Sequence, residues 1–119
     1  MENKIDVFDY DIENDSLLFN SHDVKYESSI DLGNIILDIG EAGTPVGAEI
    51  LHASKLFNVP KMALQKCRKF RAEISISEDK IEINFTVTVL LRNRVTERIA
   101  ASHGINDINI PSSQVAMVC

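Results

Sequence analysis

Phe70-Arg71-Ala72-Glu73-Ile74-Ser75-Ile76-Ser77-Glu78-Asp79-Lys80-Ile81-Glu82-Ile83-Asn84-Phe85-Thr86-Val87-Thr88-Val89-Leu90-Leu91 carries the longest regular alternation in the chain. Apolar residues take every second position on both sides of Glu78-Asp79, the period of a strand with one buried face. Pairing Ser77 with Lys80 sets Ile76 opposite Ile81, Ile74 opposite Ile83, Ala72 opposite Phe85 and Phe70 opposite Val87. In that register every apolar side chain falls on one face. A slip of one residue would turn one strand over and expose its apolar set, so the register is strongly specified. Glu78-Asp79 is not the Asn-Gly pair that a two-residue turn favours, and a four-residue loop from Ser77 to Lys80 keeps the same pairing.

Downstream of this hairpin, residues 94–101 read as a third strand or a helix, with strand preferred. Gly104 and Pro111 bound an irregular stretch, and residues 115–119 are apolar up to the last residue, as expected of a docked C-terminus. Upstream, residues 5–10 and 16–19 flank a polar turn and predict a hairpin. Residues 26–32 suit another strand. Residues 34–39 are apolar on both faces (Ile35, Ile36, Leu37, Ile39), which suits a central one. Residues 46–51 follow the turn Gly40-Glu41-Ala42-Gly43-Thr44-Pro45. The period then changes: Ala53, Leu56 and Phe57 stand at i, i+3 and i+4, a short helix. Pro60 suits the start of a second helical turn over 61–67, where its missing N–H costs nothing. The expected fold is α+β: mainly antiparallel sheet with one or two short helices in the middle of a single domain, residues 1–119.

The chain has 119 residues, 45% of them hydrophobic, which is ample for a packed core without disulfide or metal. No apolar run approaches a membrane span, and the first residues lack the pattern of a signal peptide, so the expected location is cytoplasmic. Cys67 and Cys119 stand alone, without CxxC spacing or paired histidines, and read as reduced thiols. The net charge of −6 argues against indiscriminate nucleic-acid binding. That charge is uneven. Residues 1–53 hold 12 acids and 2 bases, and residues 54–119 hold 6 acids and 10 bases. Such a split fits an acidic face that docks a basic protein partner, or strands of opposite charge lying side by side.

Candidate chemistry is sparse. Asp9, Asp11, Glu13 and Asp15 alternate like the start of a calcium loop. Asn14 stands where that loop needs glycine, however, and Asn20 where it needs a bidentate glutamate. A solvated turn, with Asp11 and Asp15 bonding their own backbone, is favoured. Glu49 could serve as a general base beside a second acid such as Asp38, although a structural hydrogen bond is the commoner role for such a residue. His22, His52 and His103 have no metal-type spacing, and His52 beside Ser54 lacks an acidic third partner in sequence. Gly40, Gly43 and Gly47 fit no phosphate-loop spacing. The basic run Lys61, Lys66, Arg68, Lys69 and Arg71 has no clustered aromatics to stack bases and reads as a solvated edge.

Two stretches carry a family resemblance. One is Tyr10-Asp11 followed by Asp15-Ser16-Leu17-Leu18-Phe19. The other is Asp38 followed by Pro45-Val46-Gly47-Ala48-Glu49-Ile50-Leu51-His52-Ala53-Ser54. Over about residues 5–58 the chain resembles the YuzE-like family of small prokaryotic proteins of unknown function. That family's pattern is a Tyr-Asp hairpin, an aspartate-glycine turn, and Gly-x-Glu-Ile-Leu-x-Ala-Ser leading into a helix. Members usually show a second aspartate near Ile39 or Gly40, which is missing here. The resemblance implies an antiparallel sheet with a helix packed on it, and marks Asp11, Asp15, Asp38, Gly47, Glu49 and Ser54 as candidate site residues. It supplies no activity. Some relatives are encoded beside small toxin-like proteins, which implies an antitoxin or partner role; the hairpin of residues 70–91 lies outside the family pattern.

The sequence therefore favours a non-enzymatic protein-interaction module that self-associates as a homodimer or binds a partner protein, with no catalytic residue, metal or cofactor. The unguarded strand of residues 81–91 is the expected free edge. The alternative is a small hydrolase or metal-dependent enzyme using Asp9, Asp11, Asp38 or Glu49.

Overall fold

A computed structural model describes residues 2–21 and 25–119. It holds ten strands and two helices: β1 (Glu2–Lys4), β2 (Val7–Asp11), β3 (Ser16–Asn20), β4 (Tyr26–Asp31), β5 (Ile35–Gly40), β6 (Pro45–Ile50), α1 (Ala53–Phe57), α2 (Lys61–Gln65), β7 (Lys69–Ile76), β8 (Lys80–Leu91), β9 (Arg94–Ile105) and β10 (Ser113–Val118). Strands make up 60% of the described residues and helices 9%, so the protein is predominantly β and the α+β expectation is corrected. The reason is local. The helical period of residues 53–57 lasts little more than one turn, and each helix has five residues. Residues 94–105, which admitted a helix, instead run as a twelve-residue strand.

The strands form two five-stranded sheets. Sheet I has the order β2-β3-β6-β5-β4 and is antiparallel throughout. Sheet II has the order β1-β10-β7-β8-β9, with β1 parallel to β10 and the other neighbours antiparallel. The β7–β8 register is the one that the alternation demands, with Ile76 opposite Ile81, Ile74 opposite Ile83, Ala72 opposite Phe85 and Phe70 opposite Val87. Ser77 N donates to Lys80 O at 2.9 Å and closes the loop. The first expected strand divides instead. Ile5 is buried, and β1 and β2 on either side of it join different sheets.

The sheets pack face to face through one continuous core. Phe19 of sheet I meets Phe70 of sheet II at 4.8 Å and Phe85 at 6.2 Å between ring centroids, and Phe57 of α1 meets Phe85 at 6.4 Å. Leu17, Leu37 and Ile50 from one side, and Ile74, Ile83 and Val87 from the other, are almost wholly shielded from solvent. The uneven charge of the sequence has a simple spatial form. The five strands of sheet I contain no Lys or Arg, whereas Lys4, Lys69, Arg71, Lys80, Arg94 and Arg98 lie on sheet II. Sheet I thus carries acids without bases, whereas sheet II mixes its bases with Glu2, Glu73, Glu82 and Glu97, and Arg71 pairs there with Glu2 and Glu73 and Lys80 with Glu82.

The edges differ in kind. β1 is three residues long, β2 carries Asp9 and Asp11, and β4 is acidic and bulged between Tyr26 and Ser28. β9 is long, free of proline and paired on one side only. It covers β8, so the free edge is β9 and not residues 81–91 as the sequence suggested.

Candidate functional site

The best-defined polar cluster joins the first hairpin to α1. Asp11 ends β2, and its carboxylate accepts from the backbone N–H of Glu13 (3.0 Å), the N–H of Asn14 (3.2 Å) and Asn14 Nδ2 (2.7 Å). This self-contained turn holds the Asp11 carboxyl below the usual carboxylate range, chiefly through the Asn14 side chain. The chain then passes through Asp15 at φ 51°, which an aspartate tolerates better than most residues. Asp15 does not bond its own turn. Its Oδ1 accepts from Tyr10 Oη at 2.6 Å and from Ser54 N at 2.9 Å, and its Oδ2 accepts from Ser54 Oγ at 2.6 Å. Its carbonyl also accepts from Ala53 N at 3.0 Å.

Asp15 therefore caps α1 from 39 residues away. The local capping position, His52, is left-handed at φ 54° and makes no side-chain cap bond. The orphan N–H groups of the first turn are taken by Asp15 instead. Electrostatics point the same way. Burial pushes the Asp15 carboxyl up, but the Ser54 hydroxyl, the Tyr10 hydroxyl and the Ser54 N–H, helped by Lys61, hold it below the usual range. Burial, and then the bond to Asp15, push the Tyr10 phenol far above its ordinary value. A carboxylate this acidic is a poor base toward Ser54 Oγ, and Tyr10 stays a protonated donor. The group is a fastener between sheet I and α1.

The remaining candidates lie on the outer face of sheet I. Asp38 stands opposite Gly47 on the neighbouring strand and accepts from Ser29 Oγ at 2.8 Å; Ser29 in turn bonds Tyr26 Oη at 2.8 Å. Glu49 sits across from Leu18 and Ile36, one step diagonal to Asp38. Directly opposite positions share a face of the sheet, and so do those two residues further along. Asp9, Asp31, Asp38 and Glu49 thus share one face, spread over four strands. Among the described residues no group of three or more His, Cys, Asp or Glu could hold a metal ion. His22 lies outside the described residues. Cys67 donates to Lys69 O at 3.1 Å, and burial pushes its thiol up, away from nucleophilic character.

Gly47 has a packing role. A Cβ there would meet the Phe19 carbonyl oxygen and lie 2.7 Å from Asn20 Cβ on the paired strand β3, where Asn20 stands opposite Gly47. Sequence reading brought Asp15, Ser54 and Gly47 forward through the family pattern but left out Tyr10 as a partner. The signal was present, since Tyr10 is cross-strand to Leu17 in the same hairpin that presents Asp15.

Residues 8–54 match the family described as "Protein of unknown function (DUF2283)". Over 112 residues, covering 94% of this chain and 91% of its counterpart, the sequence is 42% identical to a protein of Methanosarcina mazei named "Putative hypoxanthine phosphoribosyltransferase". Over 110 residues, covering 92% of this chain and 95% of the other, it is 39% identical to an uncharacterized protein of Methanocaldococcus jannaschii. No solved structure matches it. Among the described residues no helix is long and apolar enough to cross a membrane. With identity and coverage at this level, the chain belongs to the family that these two archaeal proteins represent, and its N-terminal half carries the DUF2283 pattern of unknown function.

Proposed function

We propose that this protein is a cytoplasmic, non-catalytic protein-interaction module, of the kind the YuzE-like resemblance implies, working through the free edge of sheet II. One observation carries this reading: apolar side chains are exposed along a twelve-residue strand whose outer edge is unpaired. Val95 is 65% exposed, Ile99 73% and Ile105 73%, with Leu90 beside them on β8. Exposed apolar residues along an open, proline-free edge invite a further strand, and monomeric proteins usually guard against this.

The name of the Methanosarcina relative raises the alternative of phosphoribosyl transfer. That chemistry needs backbone N–H groups free to cradle a diphosphate, typically where a glycine loop opens a helix. Here the glycine loop between β5 and β6 is a hairpin turn. Gly40 N donates to Thr44 O at 2.8 Å and Gly43 N to Gly40 O at 2.9 Å, so both donors are engaged. Gly43 also packs on Pro111, where a Cβ would lie 2.7 Å from Cδ. These contacts support a structural loop.

Two measurements separate the readings. Thermal melts with phosphoribosyl diphosphate, hypoxanthine and divalent cations at millimolar concentration should leave the transition unmoved; a shift of several degrees with phosphoribosyl diphosphate favours the enzyme. Protein captured by the tagged chain from its native cells, itself or another, should be lost with Ile99→Lys. Capture indifferent to that substitution would refute the edge as the working surface.

A further inference from the structure

The β9 edge is complementary to itself. Its sequence is Arg94-Val95-Thr96-Glu97-Arg98-Ile99-Ala100-Ala101-Ser102-His103-Gly104-Ile105. The Arg92-Asn93 turn has both residues at positive φ (53° and 64°), the mirror-image two-residue turn that closes on a hydrogen-bonded pair, here Leu91 and Arg94. Antiparallel ladders alternate, so even-numbered residues of β9 turn their backbone groups toward β8. Asn106 N, which donates to Asp79 O at 3.0 Å, continues that parity. The N–H and C=O groups of Val95, Glu97, Ile99, Ala101, His103 and Ile105 therefore face the open edge, and the side chains of these same residues are exposed.

Resting on the edge reading above, we infer that the occupant of this edge is a second copy of the chain, added antiparallel across a two-fold axis at Ala100. A two-fold axis normal to the sheet pairs residue 100+k with residue 100−k of the other copy. Val95 then meets Ile105, Glu97 meets His103, and Ile99 meets Ala101, each contact occurring twice. Apolar residues face apolar residues, and the acid faces the imidazole. Moving the axis to Ile99 sets Val95 against His103 and Glu97 against Ala101. Moving it to Ala101 sets Glu97 against Ile105 and Ile99 against His103. Only the Ala100 register of these three leaves no charged residue opposite an apolar one on the exposed face. The product is a continuous ten-stranded sheet. β1, β2 and β4 are too short, too acidic or too bulged to compete.

Cysteine trapping in a Cys67→Ser, Cys119→Ser background tests the register. At the axis the two Ala100 residues form a non-hydrogen-bonded pair with Cα atoms about 4.5 Å apart, within disulfide reach. Ala100→Cys should give a covalent dimer under mild oxidation, whereas Ile99→Cys and Ala101→Cys singly should not. Ala100 is only 8% exposed, so the double variant Glu97→Cys, His103→Cys, with both positions at the surface, provides the same test if Ala100→Cys misfolds. His103→Glu should weaken the dimer roughly tenfold by setting Glu against Glu twice, and adding Glu97→Lys should restore it. Trapping at Ile99→Cys or Ala101→Cys instead overturns the register. A single-chain mass by light scattering at all micromolar concentrations overturns self-association, while Ile99-dependent capture of a different protein would still uphold the edge. A dimer unaffected by Ile99→Lys refutes both.

Discussion

Asp15 shows how much one side chain can decide in a small β protein. Asp15→Ala leaves Tyr10 Oη, Ser54 Oγ and Ser54 N without their shared acceptor, and unfolding experiments should show a loss of about 2–4 kcal/mol. A loss below about 0.5 kcal/mol would mean that water replaces the carboxylate freely. The pH dependence has a definite sign. The folded-state pKa of Asp15 lies below its ordinary value of 3.8, so its contribution is present above that value and fades as pH falls through the lowered one. The gap between wild type and Asp15→Asn should stay level from about pH 5 to 8 and narrow below about pH 4. Tyr10 acts at the other end. Its pKa is raised, so its contribution is complete below 10.0 and is lost as pH climbs through the folded value. Gly47→Val should lower the yield of folded protein, because the new side chain would collide with the β3 backbone at Phe19 and Asn20. A variant that melts like the wild type would remove the packing account of that glycine. The Asp15–Ser54 bond was legible in sequence only as two members of one pattern. Nothing in local periodicity ties residues 39 apart, and the local reading had Asp15 bonding its own turn.

At the scale of elements, legibility followed the contrast between faces. β7 and β8 alternate without interruption, so their register could be written down residue by residue and matches the structure. β9 does not alternate in hydrophobicity. Its exposed face carries Val95, Ile99 and Ile105, and its inner face Thr96, Arg98 and Ser102, so the strand signal is weak for the same reason that this edge exposes apolar side chains. Residues 5–10 do not form one strand, because Ile5, which reads as strand interior, is the buried pivot between two sheets. The two helices stand where the period puts them, but with five residues each they are too short to make the fold α+β. Ile83→Ala, at a site with no exposure between β7 and β9 of sheet II, should cost about 2–4 kcal/mol in denaturant melts. A cost under about 1 kcal/mol would show that the inter-sheet core is loosely packed there.

For the whole molecule, the division of charge between sheets makes two separable statements. The acidic outer face of sheet I should attract divalent cations only diffusely, since its carboxylates are spread over separate strands. Calorimetry with calcium, magnesium and manganese should show nothing tighter than about millimolar, and a micromolar site abolished by Asp11→Asn would contradict this. The proposed pairing through β9 would draw on apolar pairs and backbone hydrogen bonds, so the dissociation constant of such a dimer should change by less than about threefold between 50 and 500 mM salt. The most direct test of edge pairing is amide hydrogen exchange along β9, residue by residue. Even-numbered amides bond to β8 in either state and should be protected at every concentration. The amides of Val95, Glu97, Ile99, Ala101, His103 and Ile105 should be protected at high protein concentration and exchange freely on dilution or in Ile99→Lys. Odd-numbered amides that exchange as fast as unstructured chain at millimolar protein would contradict strand addition at this edge.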